Sequence, residues 1–288
     1  MKLLGNIITL FQAEMPKPEN FKGFHLAFVA LAIIATVLMC IFLRDAKYKT
    51  FRAILLACWL VMVTLETYKQ LVYGLSYNAE SNSIAWEFVW RVFPFQLCSS
   101  PLYVLPFIIF LPKGHVRDAM MSFMAFFSLF GGLGVFAYPG NVFCETIGIN
   151  IQTMVHHGLQ VVLGIYIAVY NRKKIRIMFY LKGAIVFGAL MLIAIFMNIT
   201  VNNILAAIGF DMTQSANRFN MFYIGPYHYC QELPILTDIH PIVGPVWFIF
   251  IYLIGFLAIG LLLFGIIYGI ISLVKLIKGS AKRSKKTA

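Results

Sequence analysis

Residues 243–277 read VGPVWFIFIYLIGFLAIGLLLFGIIYGIISLVKLI, and this stretch decides the fold class of the chain. Its only charged residue is Lys275, and its apolar residues are continuous rather than alternating with polar ones. A helix needs about 20 apolar residues to cross the roughly 30 Å of hydrocarbon in a bilayer. The stretch is therefore predicted to be a membrane-spanning helix. A transmembrane β-strand, which alternates with period two, is excluded.

Further stretches of this kind lie upstream in the chain. Their predicted bounds are 25–42, 53–73, 93–111, 119–138, 151–170 and 177–203. The chain of 288 residues is 61% apolar and 12% charged, with a mean hydropathy of +0.84. Because an ordinary soluble domain is about 45–50% apolar, a soluble enzyme, a secreted disulfide scaffold and a disordered chain are excluded. We predict one all-α domain over residues 1–288, a multi-pass seven-transmembrane helical bundle in the cell membrane.

Basic residues indicate the orientation of this bundle. Most of the 23 Lys and Arg residues fall on one predicted side, at positions 44–52, 113–117, 172–182 and 275–286. Cytoplasmic loops carry the excess of Lys and Arg, so the N-terminus is predicted outside and the C-terminus, with a basic tail at 278–288, in the cytoplasm. The net charge of +12 follows from this bias. The predicted partners of the basic face are therefore anionic lipid headgroups, not nucleic acid.

Polar residues gather at one predicted depth, in the outer halves of four spans. They are Glu66, Lys69 and Gln70, then Gln96, Cys98, Ser99 and Ser100, then Gln152, His156 and His157, and finally Asn198, Asn202 and Asn203. Each group lies about 8–15 Å below the external interface, at about 1.5 Å per residue. Because an unsatisfied polar group in hydrocarbon costs several kcal/mol, we expect these residues to line one shared cavity that opens outward.

Cysteine and histidine residues at this depth suggest nucleophilic catalysis. A thiol becomes a nucleophile when a base lies within reach, and histidine is the usual base. His156 and His157 are about 100° apart around a helix, so only one is expected to face Cys98. Glu66 or an asparagine can orient the imidazole, and Gln96, Ser99 and Asn202 are donors of the type that stabilises the oxyanion of an acyl group. Adjacent histidines on a regular helix seldom share one ion, so we expect no metal and no cofactor.

Other interpretations of the same residues stay open. Glu66 and Lys69 can form an internal ion pair, Gln96 and Ser99 can join helices by hydrogen bonds, and Asn202 can cap a helix. The whole protein can also be a transporter or carrier with a Glu/Lys/His relay, or a lipid-binding receptor-like protein without catalysis. His25, which falls near a predicted interface, is assigned no chemistry.

The cysteines divide into two groups. Cys40 and Cys58 lie inside apolar spans and are interpreted as packing residues. Cys144 and Cys230 fall in predicted external loops, where an oxidising environment would permit a disulfide between them.

Several short motifs resemble a known family. FPFQLCS at residues 93–99 resembles its Pro-Leu-His-Leu-Cys element, and HHG at 156–158 resembles its His-Gly element. Asn202 followed by NMF at 220–222 resembles its Asn-Tyr-Met-Phe-Leu region. LPIL at 233–236 followed by GPVW at 244–247 resembles its closing Gly-Pro-Trp-Pro-Trp region. On these motifs the chain resembles the YwaF-type integral membrane proteins, whose relatives include transmembrane protein 164, an acyltransferase acting on ether phospholipids.

The resemblance implies an acyltransferase or acyl hydrolase acting on phospholipids or similar amphiphiles in the outer leaflet. Cys98 takes the place of the family's cysteine and would be acylated. His157 best matches the family's histidine as general base, with His156 as the alternative and Glu66 as a supporting carboxylate. Gln96 stands where the family pattern has histidine, which removes a possible second base. The residues expected to bind substrate are Gln96, Ser99, Lys69, Gln70, Asn198 and Asn202.

Overall fold

Helices form nearly all of the regular structure in residues 2–225 and 235–287, the part of the chain that the computed structural model describes. They are α1 (Lys2–Phe11), α2 (Gly23–Phe42), α3 (Tyr48–Gly74), α4 (Pro101–Phe110), α5 (His115–Phe123), α6 (Leu129–Ala137), α7 (Ile147–Tyr170), α8 (Ile177–Ala207) and α9 (Leu236–Thr287). A π-helical turn, Met124–Ser128, joins α5 to α6 in one continuous helix. One antiparallel hairpin, β1 (Leu75–Asn78) and β2 (Ser83–Trp86), follows α3, with Leu75 opposite Trp86.

The described residues contain six helices that are long and apolar enough to cross a membrane. These are Gly23–Phe42, Tyr48–Gly74, His115–Ala137, Ile147–Tyr170, Ile177–Ala207 and Leu236–Ile277. Each overlaps one of the spans predicted from the sequence, so the all-α membrane bundle is confirmed. The last of them is interrupted at Gly244, whose φ of 74° is a conformation that glycine adopts without steric cost.

The predicted span 93–111 differs from the other spans because only its second part is helical. A 3₁₀ turn at Leu97–Ser99 leads into α4, and together they form an apolar helix from Leu97 to Phe110. Pro94 favours the extended backbone that Phe93 adopts. Pro101 stands at the first position of α4, which tolerates proline, and Pro106 removes a backbone donor inside α4. The ten residues of α4 cover about 15 Å, or half of the hydrocarbon thickness. The apolar stretch is therefore not one full-length helix.

Helix α7 lies at the centre of the bundle and packs against α2, α3 and α6. In its most apolar window 72% of the residues are buried inside the protein, against 11% for α2 and 17% for α9. Glycines allow α6 and α7 to approach each other closely. A Cβ on Gly132 would lie 2.7 Å from the carbonyl oxygen of His157, and a Cβ on Gly164 would lie 2.7 Å from Leu129 Cβ. These contacts place α7 directly beside the turn that contains Cys98.

Candidate functional site

Residues 90–100, here called the Cys98 segment, run without α-helix between β2 and α4. Non-helical backbone inside a membrane bundle needs partners from the protein, because no bulk water is there to bond it. Gln70 Nε2 of α3 donates to the carbonyl oxygen of Val92 at 2.8 Å. Ser100 Oγ donates to the carbonyl oxygen of Leu97 at 2.6 Å. Polar side chains therefore serve first to hold this segment in place.

The carbonyl oxygen of Cys98 accepts two hydrogen bonds from α7. His156 Nε2 lies 2.9 Å from it, and Gln160 Nε2 lies 2.6 Å from it. The two side chains are four residues apart and so share one face of the helix. Because a carbonyl oxygen can only accept, Nε2 of His156 carries a proton. Nδ1 of the neutral ring is then an unprotonated acceptor, on a side chain that is only 2% exposed.

Three buried acceptor atoms around this carbonyl have no hydrogen-bond partner among the residues described. They are His156 Nδ1, Gln160 Oε1 and Gln96 Oε1. Gly131 of α6 lies beside them, since a Cβ there would be 3.2 Å from Gln160 Oε1 and 3.9 Å from Cys98 Cα. Residue Cys98 is of intermediate exposure, whereas Ser99 and Ser100 are buried. Cys98 therefore lies next to buried acceptors that can still accept a hydrogen bond.

Glu66 and Lys69 form an ion pair in α3. Lys69 Nζ lies 2.9 Å from Glu66 Oε1, and Gln70 Nε2 donates to the same oxygen at 2.8 Å. Gln70 Nε2 also donates to the carbonyl oxygen of Val92 in the Cys98 segment. The structure thus contains the internal ion pair and connects it to the Cys98 segment through Gln70.

His157 has a different orientation from His156. Its Nδ1 donates to the carbonyl oxygen of Thr153, one turn earlier in α7, at 2.7 Å. Its Nε2 is then the acceptor nitrogen of the neutral ring. The two imidazole rings are 5.7 Å apart, between centroids. His156, the alternative in the sequence motif, is thus the histidine that contacts the backbone of Cys98.

Asn198 and Asn202 of α8 bind a second non-helical stretch, residues 219–225, here called the Asn220 segment. Asn198 Nδ2 donates to Met221 O at 2.9 Å, and Met221 N donates to Asn198 Oδ1 at 2.7 Å. Asn202 Nδ2 donates to Phe219 O at 2.7 Å, and Phe219 N donates to Asn202 Oδ1 at 3.0 Å. Both amides therefore pair with backbone groups and fix the segment against α8.

The Asn220 segment in turn packs on the Cys98 segment. Gln96 Nε2 donates to the carbonyl oxygen of Asn220 at 2.7 Å. The rings of Phe93 and Phe219 are 5.2 Å apart, and those of Phe95 and Phe222 are 6.0 Å apart. Four of the predicted substrate-binding residues, Gln70, Gln96, Asn198 and Asn202, thus bond to the backbone of these two segments, which lack α-helix. Their role in binding substrate stays a prediction.

Sequence reasoning assigned no role to Gln160 or Asn220. Gln160 follows His156 by four positions, so its place on the same helix face was a usable signal. Asn220 was visible in the NMF motif, but its contact with Gln96 joins residues 124 apart in sequence, and no spacing indicates that contact. Outside this region, His25 was expected near an interface, yet the residue is 0% exposed.

The remaining predictions concern the disulfide and metal binding. Cys144 Sγ lies 3.8 Å from the carbonyl oxygen of Thr146. Cys230 lies outside the described residues, so its disulfide with Cys144 stays a prediction. Within residues 2–225 and 235–287, no group of three His, Cys, Asp or Glu side chains is placed to hold a metal ion.

Membrane-length helices packed around buried polar side chains define a multi-pass α-helical membrane protein. A family model described as the TMEM164 family matches residues 20–268, which include both non-helical segments, and the chain belongs to that family. The match agrees with the resemblance to transmembrane protein 164, while the YwaF-type name and the cell membrane as location stay predictions. No curated protein and no solved structure matches the chain.

Proposed function

We propose that this protein is a lipid-modifying membrane enzyme that transfers or hydrolyses acyl groups, with Cys98 as nucleophile and His156 as general base. One observation carries the proposal. The ring of His156 is fixed on the carbonyl oxygen of Cys98 through Nε2, and its Nδ1 is a buried acceptor without a partner in the described chain. The resemblance to an acyltransferase of ether phospholipids supports the same chemistry and favours a phospholipid-like substrate.

The reaction starts with proton transfer from Cys98 Sγ to His156 Nδ1. The thiolate attacks the carbonyl carbon of an acyl ester, the C–S bond forms, and the C–O bond of the ester breaks. The departing alkoxide takes the proton from His156 and leaves as an alcohol. A second alcohol, or water, then attacks the thioester carbonyl while His156 accepts its proton. A new C–O bond forms, the C–S bond breaks, and the Cys98 thiolate takes the proton back from His156, which regenerates the thiol.

We assign Lys69 a supporting role in the first of these steps. Its ammonium group would stabilise negative charge on the sulfur, and Glu66 holds that ammonium group in place through the 2.9 Å ion pair. Gln160 is a positioning residue, because it fixes the Cys98 carbonyl without being placed to react. The two hydrogen bonds on this carbonyl keep Cys98, which lies in the 3₁₀ turn before α4, at a fixed position relative to α7.

A labelling experiment tests the proposal. Purified protein is incubated with a phospholipid that carries an alkyne-tagged acyl chain, and protein-bound label is measured with and without hydroxylamine, which cleaves thioesters. Wild-type protein is expected to carry hydroxylamine-sensitive label, and Cys98→Ala is expected to carry none. His156→Ala should slow labelling by about 100-fold or more, the usual contribution of a general base.

Cys40→Ala is the matched control, since Cys40 lies in α2, away from the Cys98 segment, and should label like the wild type. Equal labelling and turnover by Cys98→Ala and the wild type would contradict the proposal. If His157→Ala loses the label and His156→Ala keeps it, the general base is His157 and the assignment to His156 is wrong.

A further inference from the structure

A groove of about 510 Å³ lies between α2, α6 and α7. Val161 and Ile165 of α7 line it, whereas His156 and Gln160 of the same helix contact Cys98. Apart from His25 and Thr36, every residue that lines the groove is apolar. The Thr36 hydroxyl donates to the carbonyl oxygen of Ala32 at 2.7 Å, so it presents no free donor. The walls therefore suit a hydrocarbon chain.

His25 places a polar atom at one end of this groove. Its side chain is 0% exposed and lies among the rings of Phe21, Phe136 and Phe143, with centroid distances of 5.2, 6.5 and 6.1 Å. The backbone N–H of Phe21 donates to His25 Nδ1 at 2.9 Å. Nδ1 is thus an acceptor without a proton, so Nε2 of the neutral ring carries one.

This Nε2–H group has no acceptor within the described residues. Leaving a buried donor unpaired is costly, so an acceptor supplied by a ligand would bind here favourably. The groove runs along α2 from His25 to Val37, which corresponds to about 18 Å of helix. One leaflet of hydrocarbon is about 15 Å deep, half of the bilayer core. The length of the groove therefore matches an acyl chain that lies along the bilayer normal.

We infer that this groove binds one acyl chain of a glycerolipid, whose ester carbonyl oxygen accepts a hydrogen bond from His25 Nε2. The ester carbonyl joins the acyl chain to the glycerol, so it stands at the headgroup end of the chain. His25 lies in the first turn of α2, near one end of that span. The inference is independent of the proposed reaction at Cys98, because the groove and the Cys98 segment lie on different faces of α7.

Two lipids that differ only in the carbonyl group test the hydrogen bond. Purified full-length protein in detergent is titrated with dioleoyl phosphatidylcholine and with its diether analogue, and bound lipid is counted by native mass spectrometry. The wild type should bind the diester about fivefold more tightly, the effect expected of one hydrogen bond. His25→Phe should bind both lipids equally, because phenylalanine keeps the ring and removes the donor.

A second pair of variants tests the groove without changing His25. Ile33 lines the groove, whereas the adjacent Ile34, which is similarly exposed, does not. Ile33→Trp should lower binding of both lipids, and Ile34→Trp should leave it unchanged. Equal binding of diester and diether by the wild type, or equal binding by the two tryptophan variants, overturns the inference. Cys98→Ala should bind lipid here as the wild type does, so a failure of the proposed reaction is distinguishable from a failure of this site.

Discussion

Helices α7 and α9 are both long enough to cross a bilayer, but their surroundings differ. Helix α9 contains the most apolar window of the six candidate spans, and 17% of that window is buried in the protein. Helix α7 contains the least apolar one, and 72% of it is buried. Lipid tails offer no hydrogen bonds, so a helix that faces them has to be apolar throughout. A helix surrounded by protein can instead carry polar side chains such as Gln152, His156 and Gln160.

The comparison shows that polar residues in this chain mark the protein interior, not the surface. Most of them bond to backbone groups that have no helical partner, in the Cys98 segment and the Asn220 segment. A substitution should therefore lower the free energy of unfolding strongly where the side chain faces the interior, and only weakly where the side chain faces lipid. Paired substitutions can test this difference, and they are given in order of decreasing expected effect.

The largest effect on stability is expected for Asn202→Leu. The substitution leaves both the N–H and the carbonyl of buried Phe219 without a partner, which at about 1–3 kcal/mol for each group amounts to about 2–6 kcal/mol. Asn203→Leu is the matched control, because Asn203 is exposed on the other side of α8, and it should change stability by less than about 0.5 kcal/mol. Unfolding in detergent measures both variants. Equal losses would show that interior and lipid-facing positions of α8 do not differ.

A smaller loss of stability is expected when a glycine is replaced. Two glycine variants, one in α7 and one in α9, compare the two helices directly. In Gly164→Ala the new Cβ would lie 2.7 Å from Leu129 Cβ and 3.0 Å from the carbonyl oxygen of Met124, so the helices must move apart at a cost of about 1–3 kcal/mol. In Gly255→Ala of α9 the Cβ meets no atom of the described chain within 4 Å. Alanine favours helix over glycine, so this variant should be as stable as the wild type or slightly more stable. The same unfolding assay measures the stability of both variants. A loss of stability in Gly255→Ala would mean that α9 is packed against protein at this position.

The spans could be predicted from the sequence because a helix that faces lipid is apolar along its whole length, and the mean hydropathy of the stretch shows this. The absence of α-helix at the start of the predicted span 93–111 could not be predicted from apolar composition, which takes no account of proline. Pro94 was visible in the sequence, and it favours the extended backbone that Phe93 adopts there. A helix-breaking residue inside an apolar stretch therefore deserves more weight than the hydropathy of the stretch.

The candidate site was predictable as a set of residues but not as a set of bonds. Glu66, Cys98 and His156 were expected at one depth, and the structure brings them together. Their partners include carbonyl oxygens of non-helical segments, and no periodicity in the sequence reports the position of those atoms. His25 shows the same limit, because its burial depends on rings from distant parts of the chain, including Phe136 and Phe143.

The smallest effect is expected at the solvent-exposed ends of the helices, where neither lipid nor protein surrounds the side chains. Arg172, after α7, hydrogen-bonds Asp45, after α2, and the Asp45 side chain is 66% exposed. The Arg172 guanidinium holds the pKa of the Asp45 carboxyl below its ordinary value. A carboxyl whose pKa is lowered by folding stabilises the folded state above the unfolded pKa of about 3.9, and this contribution is lost as the pH falls through the lower, folded value.

Asp45→Asn should therefore lower the unfolding midpoint slightly at pH 7 and pH 5, and by the same amount at both. The difference should shrink as the pH falls below about 4, and it should vanish only below the lowered pKa of the folded-state carboxyl, where the wild-type side chain is protonated as well. High salt should reduce the difference at pH 7, since ions screen an exposed pair. Thermal unfolding across this pH range measures the effect. A loss as large as that of Gly164→Ala would mean that the connection between the loops after α2 and α7 contributes as much as packing in the centre of the bundle. The difference between interior and exposed positions would then not determine the stability of this protein.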